Sequence, residues 1–369
     1  MRKTINIGDL GTIITGKTPP TTNKNYYGDY AVFIKPTDIS EQSKYTYETE
    51  EMYSKLAAEK YESSLIPKGA ICVPCIGTIG TKMTMTPCDC YTNQSINSII
   101  CNENYDNEYV YYLIKNFLPG LKAYNLGTAS GREYVSKSNF EKIELVAEQD
   151  QEIQKKIGII LSRYDSLIEN YQKQIKLLEE AAQRLYKEWF VDLRFPGHEN
   201  TKIVDGVPEG WTPSQLGQLA EFKRGKTITK KDVIDGDIPV VAGGLEPAYY
   251  CNKSNTAERV ITISGSGANA GFTRMYFEKV WASDCSFVDA SVTPFLHFVY
   301  CYLKANKTTI DNMQKGAAQP HVYAKDINSL SICIPIESVL KSFEGTASKY
   351  FDTISSFQSQ IHLRTEARD

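Results

Sequence analysis

The chain has 369 residues, 41% of them apolar and 23% charged, with 41 Lys and Arg against 44 Asp and Glu for a formal net charge of −3. That composition builds folded cores and excludes a disordered chain, a collagen or a bundle of membrane spans; the length suits two domains of roughly 100–200 residues. Net charge divides as −3 over residues 1–150, +1 over 151–194 and −1 over 195–369, so any nucleic-acid surface must rest on local patches.

Taken from its start, Met1-Arg2-Lys3-Thr4-Ile5 has no apolar h-region, and no secretory leader is expected. Residues 11–18 match the phosphate-binding pattern G-x4-G-K-[ST]. That mechanism needs a flexible cradle opening a helix, but Thr12, Ile13, Ile14 and Thr15 are β-branched and Pro20 drives Pro19 out of helical geometry. A nucleotide-driven enzyme using this segment stands only as an alternative. Strands are expected at Ala31–Ile34 and Ile71–Val73. Cys72, Cys75, Cys88 and Cys90 carry zinc-like spacings, yet Cys72 and Cys75 lie in an apolar strand-like run, where residues three apart face opposite sides. Buried thiols are expected there, and nine cysteines in all, an odd number, suit a reducing cytoplasm. A glycine turn, Ile76-Gly77-Thr78-Ile79-Gly80, follows, then a helix over Glu108–Phe117.

The strongest signal comes next. Apolar residues fall at Ile157, Leu161, Tyr164, Ile168, Tyr171, Ile175, Leu178, Ala182, Leu185 and Trp189, alternating steps of four and three as in a heptad seam. As one helix, residues 153–189 span roughly 55 Å at about 1.5 Å per residue. Pro196 and Gly197 end it, and Gly206, Pro208, Gly210 and Pro213 form a linker.

The second half repeats the first. Gly8, Leu10, Gly16, Lys17 and Thr18 return as Gly217, Leu219, Gly225, Lys226 and Thr227. Strands at Ile238–Val241 and Val260–Ile263, a turn at Gly265–Gly271 and a helix near Phe295–Lys304 follow. Val135 to Leu145 has a counterpart in Val322 to Ile332, and a second seam runs Phe343, Ala347, Tyr350, Ile354, Phe357, Ile361. Two narrow apolar stripes in one chain bury themselves most simply against each other; a helix lying on its own globule would show a wider face. The globules read as α/β or α+β, with a topology the pattern does not give. Four scattered histidines, no G-x-S-x-G elbow and no Asn/Asp-Pro-Pro-aromatic segment leave the chain without catalytic machinery.

This ordered, duplicated set resembles the specificity (S) subunit of type I restriction–modification enzymes over nearly the whole chain. The carriers are Leu10 with Gly16-Lys17-Thr18-Pro19, Gly225-Lys226-Thr227, Gly127–Arg132, Gly316–His321, Gln154-Lys155-Lys156-Ile157 and Arg184–Phe190. The resemblance implies two similar target recognition domains, each followed by a long helix, with the helices packed as an antiparallel coiled coil around a pseudo-two-fold repeat. It implies a non-catalytic, cytoplasmic DNA-binding subunit whose domains each read half of a bipartite asymmetric site. Its helices would set the spacer and seat two modification (methyltransferase) subunits. It also implies adenine-N6 methylation with S-adenosylmethionine in those partners, and ATP- and Mg-dependent cleavage once restriction (translocase/nuclease) subunits join. A truncated or silent specificity cassette is the other reading, because helix two stops at Leu363–Asp369 with Arg364 at the seam position of Leu178.

The expected limits are a first recognition domain over 1–148, a central helix over 149–195, linker and second domain over 196–337, and a short terminal helix over 338–369. Candidate DNA contacts are Lys17, Thr18, Lys82 and Arg132 in the first half, and Lys223, Arg224, Lys226, Thr227, Lys230, Lys231, Arg274 and His321 in the second. Arg132 is taken as the equivalent of His321. Tyr26, Tyr27, Tyr249 and Tyr250 offer stacking surfaces. Lys155, Lys156, Lys173 and Glu179 on the outer helix faces are candidate partner contacts.

Overall fold

The computed structural model describes all residues except 128–132, 230, 232 and 315–319. The chain divides into two compact units, Met1–Tyr171 with Gln360–Asp369, and Gln172–Ser359.

The first unit runs β1 (Arg2–Asn6), β2 (Gly11–Thr15), β3 (Tyr27–Ile34), β4 (Met52–Tyr53), α1 (Lys55–Lys60), β5 (Ile71–Pro74), β6 (Thr84–Met85), β7 (Tyr91–Thr92), β8 (Ile96–Cys101), α2 (Asn107–Phe117), α3 (Lys137–Glu141) and β9 (Glu144–Glu148), then enters α4 (Gln151–Tyr186). Its helices start where short polar side chains satisfy orphan N–H groups. Ser54 accepts from Ala57 N at 3.2 Å, Asp106 from Tyr109 N at 3.0 Å and Ser136 from Asn139 N at 3.2 Å. Strand order is β2-β8-β5-β6 in an antiparallel sheet and β4-β3-β7 in a second, where β3 and β7 run parallel. In the β1-β9 ladder Ile5, Leu145 and Ala147 point inward while Val146 is exposed; Glu148 breaks the alternation, buried at the strand's end. The core gathers Ile71, Val73, Ile99, Val110, Ile114 and Phe140, and Ile157 and Leu161 of α4 pack against it. Those two seam residues therefore lie on their own globule. Gly158 allows this, since a Cβ there would sit 2.8 Å from Glu108 Cβ on α2.

The second unit carries a hairpin, β10 (Ile203–Val204) and β11 (Val207–Pro208), then β12 (Thr212–Gln215), α5 (Leu216–Leu219), β13 (Lys223–Arg224), β14 (Ile238–Val241), β15 (Tyr249–Cys251), β16 (Val260–Ser264), β17 (Thr273–Tyr276), β18 (Trp281–Ala282), β19 (Cys285–Asp289), α6 (Leu296–Ala305), α7 (Lys307–Asn312), α8 (Ala324–Asn328), β20 (Ser331–Ile334) and α9 (Glu337–Arg368). Strand orders are β13-β19-β16-β17, β15-β14-β18 and β12-β20, with β14 and β18 parallel. Every sheet of the first unit has its counterpart, so the repeat read in the sequence is a repeat of topology.

Each unit shows how the long helices meet. In the second, Ala182 and Tyr186 share one core with Phe343, Ala347, Phe351 and Ile354, while Ile175, Leu178, Leu185 and Tyr350 pack at its edge. The Tyr186 ring lies 6.3 Å from Phe343 and 5.7 Å from Phe298 of α6, so the seam is shared with the globule. In the first, Arg364 stacks over Tyr171 at 5.3 Å and Arg368 pairs with Asp165 at 2.6 Å. Position falls along α4 as it rises along α9, which makes the pair antiparallel. Ile168 is buried, and Tyr164, Tyr171, Phe357 and Ile361 are half-buried. Arg364, the odd residue of the seam, keeps its place by laying its guanidinium on an aromatic face. The α4 helix turns π-helical over Lys187–Val191, short of the expected end at residue 195.

Candidate nucleic-acid interface

The two Gly-Lys-Thr segments leave a strand of the larger sheet as irregular chain and hydrogen-bond across to a strand of the smaller one. Gly16 N donates to Ile96 O at 3.2 Å and Lys17 N to Thr92 O at 2.9 Å. Gly225 N donates to Cys285 O at 2.8 Å and Lys226 N to Ala282 O at 2.9 Å. Both glycines are required by proximity, because a Cβ on Gly16 would collide with the Thr92 and Asn93 carbonyl oxygens, and one on Gly225 would lie 2.6 Å from Ala282 O. Residues Gly11–Thr15 are a strand, and Gly16 to Pro20 directly after it are not helical. The N–H groups a phosphate cradle would present at Gly16 and Lys17 are already bonded to strand carbonyls. The nucleotide-binding alternative fails on that geometry.

Side-chain hydrogen bonds hold the same turns from the other side. Tyr53 Oη donates to Lys17 O at 2.6 Å and Tyr27 Oη to Pro19 O at 2.8 Å. Trp281 Nε1 donates to Lys226 O at 2.7 Å and Tyr249 Oη to Ile228 O at 2.6 Å. What remains outward is the Lys17, Thr18, Lys226 and Thr227 side chains, all exposed; Thr18 Oγ1 donates to Gln94.

The glycine turns have a partner too. Gly77 N donates to Glu133 O at 2.9 Å and Val135 N to Cys75 O at 2.9 Å; Gly267 N donates to Pro320 O and Val322 N to Gly265 O, each at 3.1 Å. Gly77 and Gly267 have φ of +81° and +79°, the left-handed region that favours glycine. Ile76 bridges to Tyr134 and Ser266 to His321. By this pairing the equivalent of His321 is Tyr134, which corrects the expected match with Arg132.

The other candidates fall as follows. Lys223 and Arg224 form the exposed strand β13 at the sheet edge, and Lys231 is exposed. Arg224 and His321 line one small cavity with Asp284 and Tyr323. His321 stacks on Tyr323 with centroids 5.9 Å apart and planes at 11°, and Lys325 Nζ sits 5.8 Å above the Tyr323 ring. Tyr323, Lys325 and Asp284 join this site without a distinctive sequence signal, since Tyr-x-Lys after His321 is a common pattern. Arg274 is held elsewhere, with Glu246 at 3.2 Å, Leu245 O at 2.9 Å and the Tyr276 ring at 4.8 Å. Lys82 is half-buried just before β6. Arg132 and Lys230 lie outside the described residues.

Cys72, Cys75 and Cys90 are buried and Cys88 is exposed. Burial pushes the Cys72 and Cys75 thiols up to about 12, far from the thiolate a metal needs. Among the described residues no group of three or more His, Cys, Asp or Glu could hold a metal ion. No described helix is long and apolar enough to cross a membrane.

The family model of the type I restriction modification DNA specificity domain matches residues 2–180 and 208–365. Over 390 residues, covering 98% of this chain and 90% of the relative, the chain is 26% identical to the type I restriction enzyme MjaIX specificity subunit of Methanocaldococcus jannaschii. It is 37% identical over 163 residues to the HindI specificity subunit of Haemophilus influenzae, covering 42% of this chain and 35% of that one. The crystal structure of the type I restriction–modification S subunit from M. genitalium shares the fold at a TM-score of 0.62, with 16% identity, over 100% of this chain and 94% of that chain.

Proposed function

Since the chain belongs to the type I restriction–modification DNA specificity family, we propose that each unit reads one half of a split DNA site and that the two halves differ in sequence. One observation carries this reading: the nine strands of the first unit recur in the same pairings in the second, while the side chains at equivalent positions differ. Arg224 stands where Thr15 stands, His321 where Tyr134 stands, and Lys325 where Ser138 stands. One scaffold with two sets of side chains is what an asymmetric bipartite site demands, since base edges are told apart by donor and acceptor pattern.

The chain itself is a non-catalytic specificity subunit. Two modification subunits seated on α4 and α9 would supply adenine-N6 methylation from S-adenosylmethionine. Restriction subunits would add ATP- and Mg-dependent cleavage, all in the cytoplasm. The length of α4, 36 residues, would set the number of base pairs between the half-sites. Methylome sequencing of the host with and without this gene tests the reading. A bipartite adenine motif should vanish on deletion, and an unchanged methylome would overturn it.

The basic strand of the second unit is the sharpest electrostatic feature. Replacing Lys223, Arg224 and Lys226 together with alanine should weaken binding of the assembled methyltransferase to its motif. The plot of log K against log salt should flatten by about 0.9 for each phosphate that is no longer neutralised, so by roughly 2–3. Anisotropy titrations at several salt concentrations measure it; an unchanged slope would move the interface elsewhere.

A further inference from the structure

The Gly-Lys-Thr turns are held in the same way by different means. In the first unit the donor to the lysine carbonyl is a phenol on β4; in the second it is an indole on β18. The residue equivalent to Trp281 is Tyr91 on β7, and it does not make this bond. Tyr91 instead stacks on Tyr53 with centroids 4.5 Å apart and planes at 18°. Simple retention of an ancestral hydrogen bond would have kept the donor on one strand. Two sheets instead reach the same carbonyl from different strands with different chemistry, which indicates that the orientation of that peptide is what is held constant.

The effect on the lysine is specific. With N–H bonded to a strand carbonyl and C=O bonded to an aromatic donor, both peptides flanking Lys17 and Lys226 are held, while the side chain is exposed. Tyr27 and Tyr249 fix the residue two positions on in both units. A cation aimed at a phosphate by a rigid backbone loses less freedom on binding than one on a mobile loop.

We propose that Tyr53 and Trp281 are positioning residues for DNA binding, acting through Lys17 and Lys226 and touching no nucleotide themselves. This rests on the reading that these turns meet the DNA backbone. The test uses the full chain assembled with its modification subunits and a labelled duplex carrying the motif found in the host. Tyr53→Phe deletes the donor and keeps the ring against Phe33 and Tyr91. It should weaken binding roughly three- to tenfold and reduce the salt slope by up to about 1. In a Lys17→Ala background the same change should have no further effect, because a residue that acts only through another is silent once that one is gone. Trp281→Phe with Lys226→Ala repeats the cycle at a more exposed site, where folding is less at stake.

An unchanged affinity for Tyr53→Phe and Trp281→Phe, or a loss equal in both backgrounds, overturns the positioning role. If Lys17→Ala and Lys226→Ala alone leave affinity and slope untouched, the underlying placement of DNA on these turns fails instead, and the inference falls with it.

Discussion

Arg368→Ala should remove about 3–5 kcal/mol from the first unit, seen as an earlier urea transition and faster hydrogen exchange of the α2 amides. The side chains of Arg368 and Asp165 are 9% and 6% exposed and meet at 2.6 Å. Tyr112 Oη donates to the other Asp165 oxygen at 2.5 Å, and Asp369 adds a looser pair with Lys115 at 3.6 Å. Truncating Arg368 leaves the buried Asp165 carboxylate with the Tyr112 phenol and the longer-range attraction of Lys115, and a poorly compensated buried charge costs more than the pair ever contributed. Asp165→Leu combined with Arg368→Met, which removes both charges and fills the space, should recover most of the loss. A shift below about 1 kcal/mol for Arg368→Ala would show that water reaches the pair, since exposed ion pairs are worth that little.

Gly16→Ala and Gly225→Ala should each unfold or badly weaken their unit, by about 3 kcal/mol or more, because the added methyl meets backbone and no side chain can swing aside. Gly77→Ala is the control. Its Cβ would find open space, and only its φ of +81° opposes the change, so a cost of about 1 kcal/mol is expected. Thermal melting of the three variants separates close approach from backbone strain. Equal losses at Gly16 and Gly77 would mean that the turns adapt.

Much of this architecture was legible in the chain. A four-three rhythm from Ile157 to Trp189 can only be a helix, and helical seams repeated 186 residues apart imply a shared plan. Strand Ile238–Val241 shows as a short apolar run between Gly236 and Gly243, although Pro239 lies inside it. The seam's division of labour was not legible: Ile157 and Leu161 serve their own globule, and nothing in their spacing distinguishes them from Leu178. The topology was also hidden, since two-residue strands such as Met52–Tyr53 and Trp281–Ala282 have no periodicity to detect. At the candidate site the lysines and glycines showed themselves by repeating. Tyr53 and Trp281 did not, because they perform one task from unrelated positions and no alignment of the halves brings them together.

The first unit is built from two separate stretches, one ending at Tyr171 and the other running from Gln360 to Asp369. The second unit is one unbroken stretch between them. On a ribosome the inner unit can therefore finish while the outer one waits, its Asp165 still without Arg368, for ten residues that emerge later. The unit whose first stretch is made earliest is completed last, and any change that delays or removes residues 360–369 is felt in the fold that residues 1–171 begin.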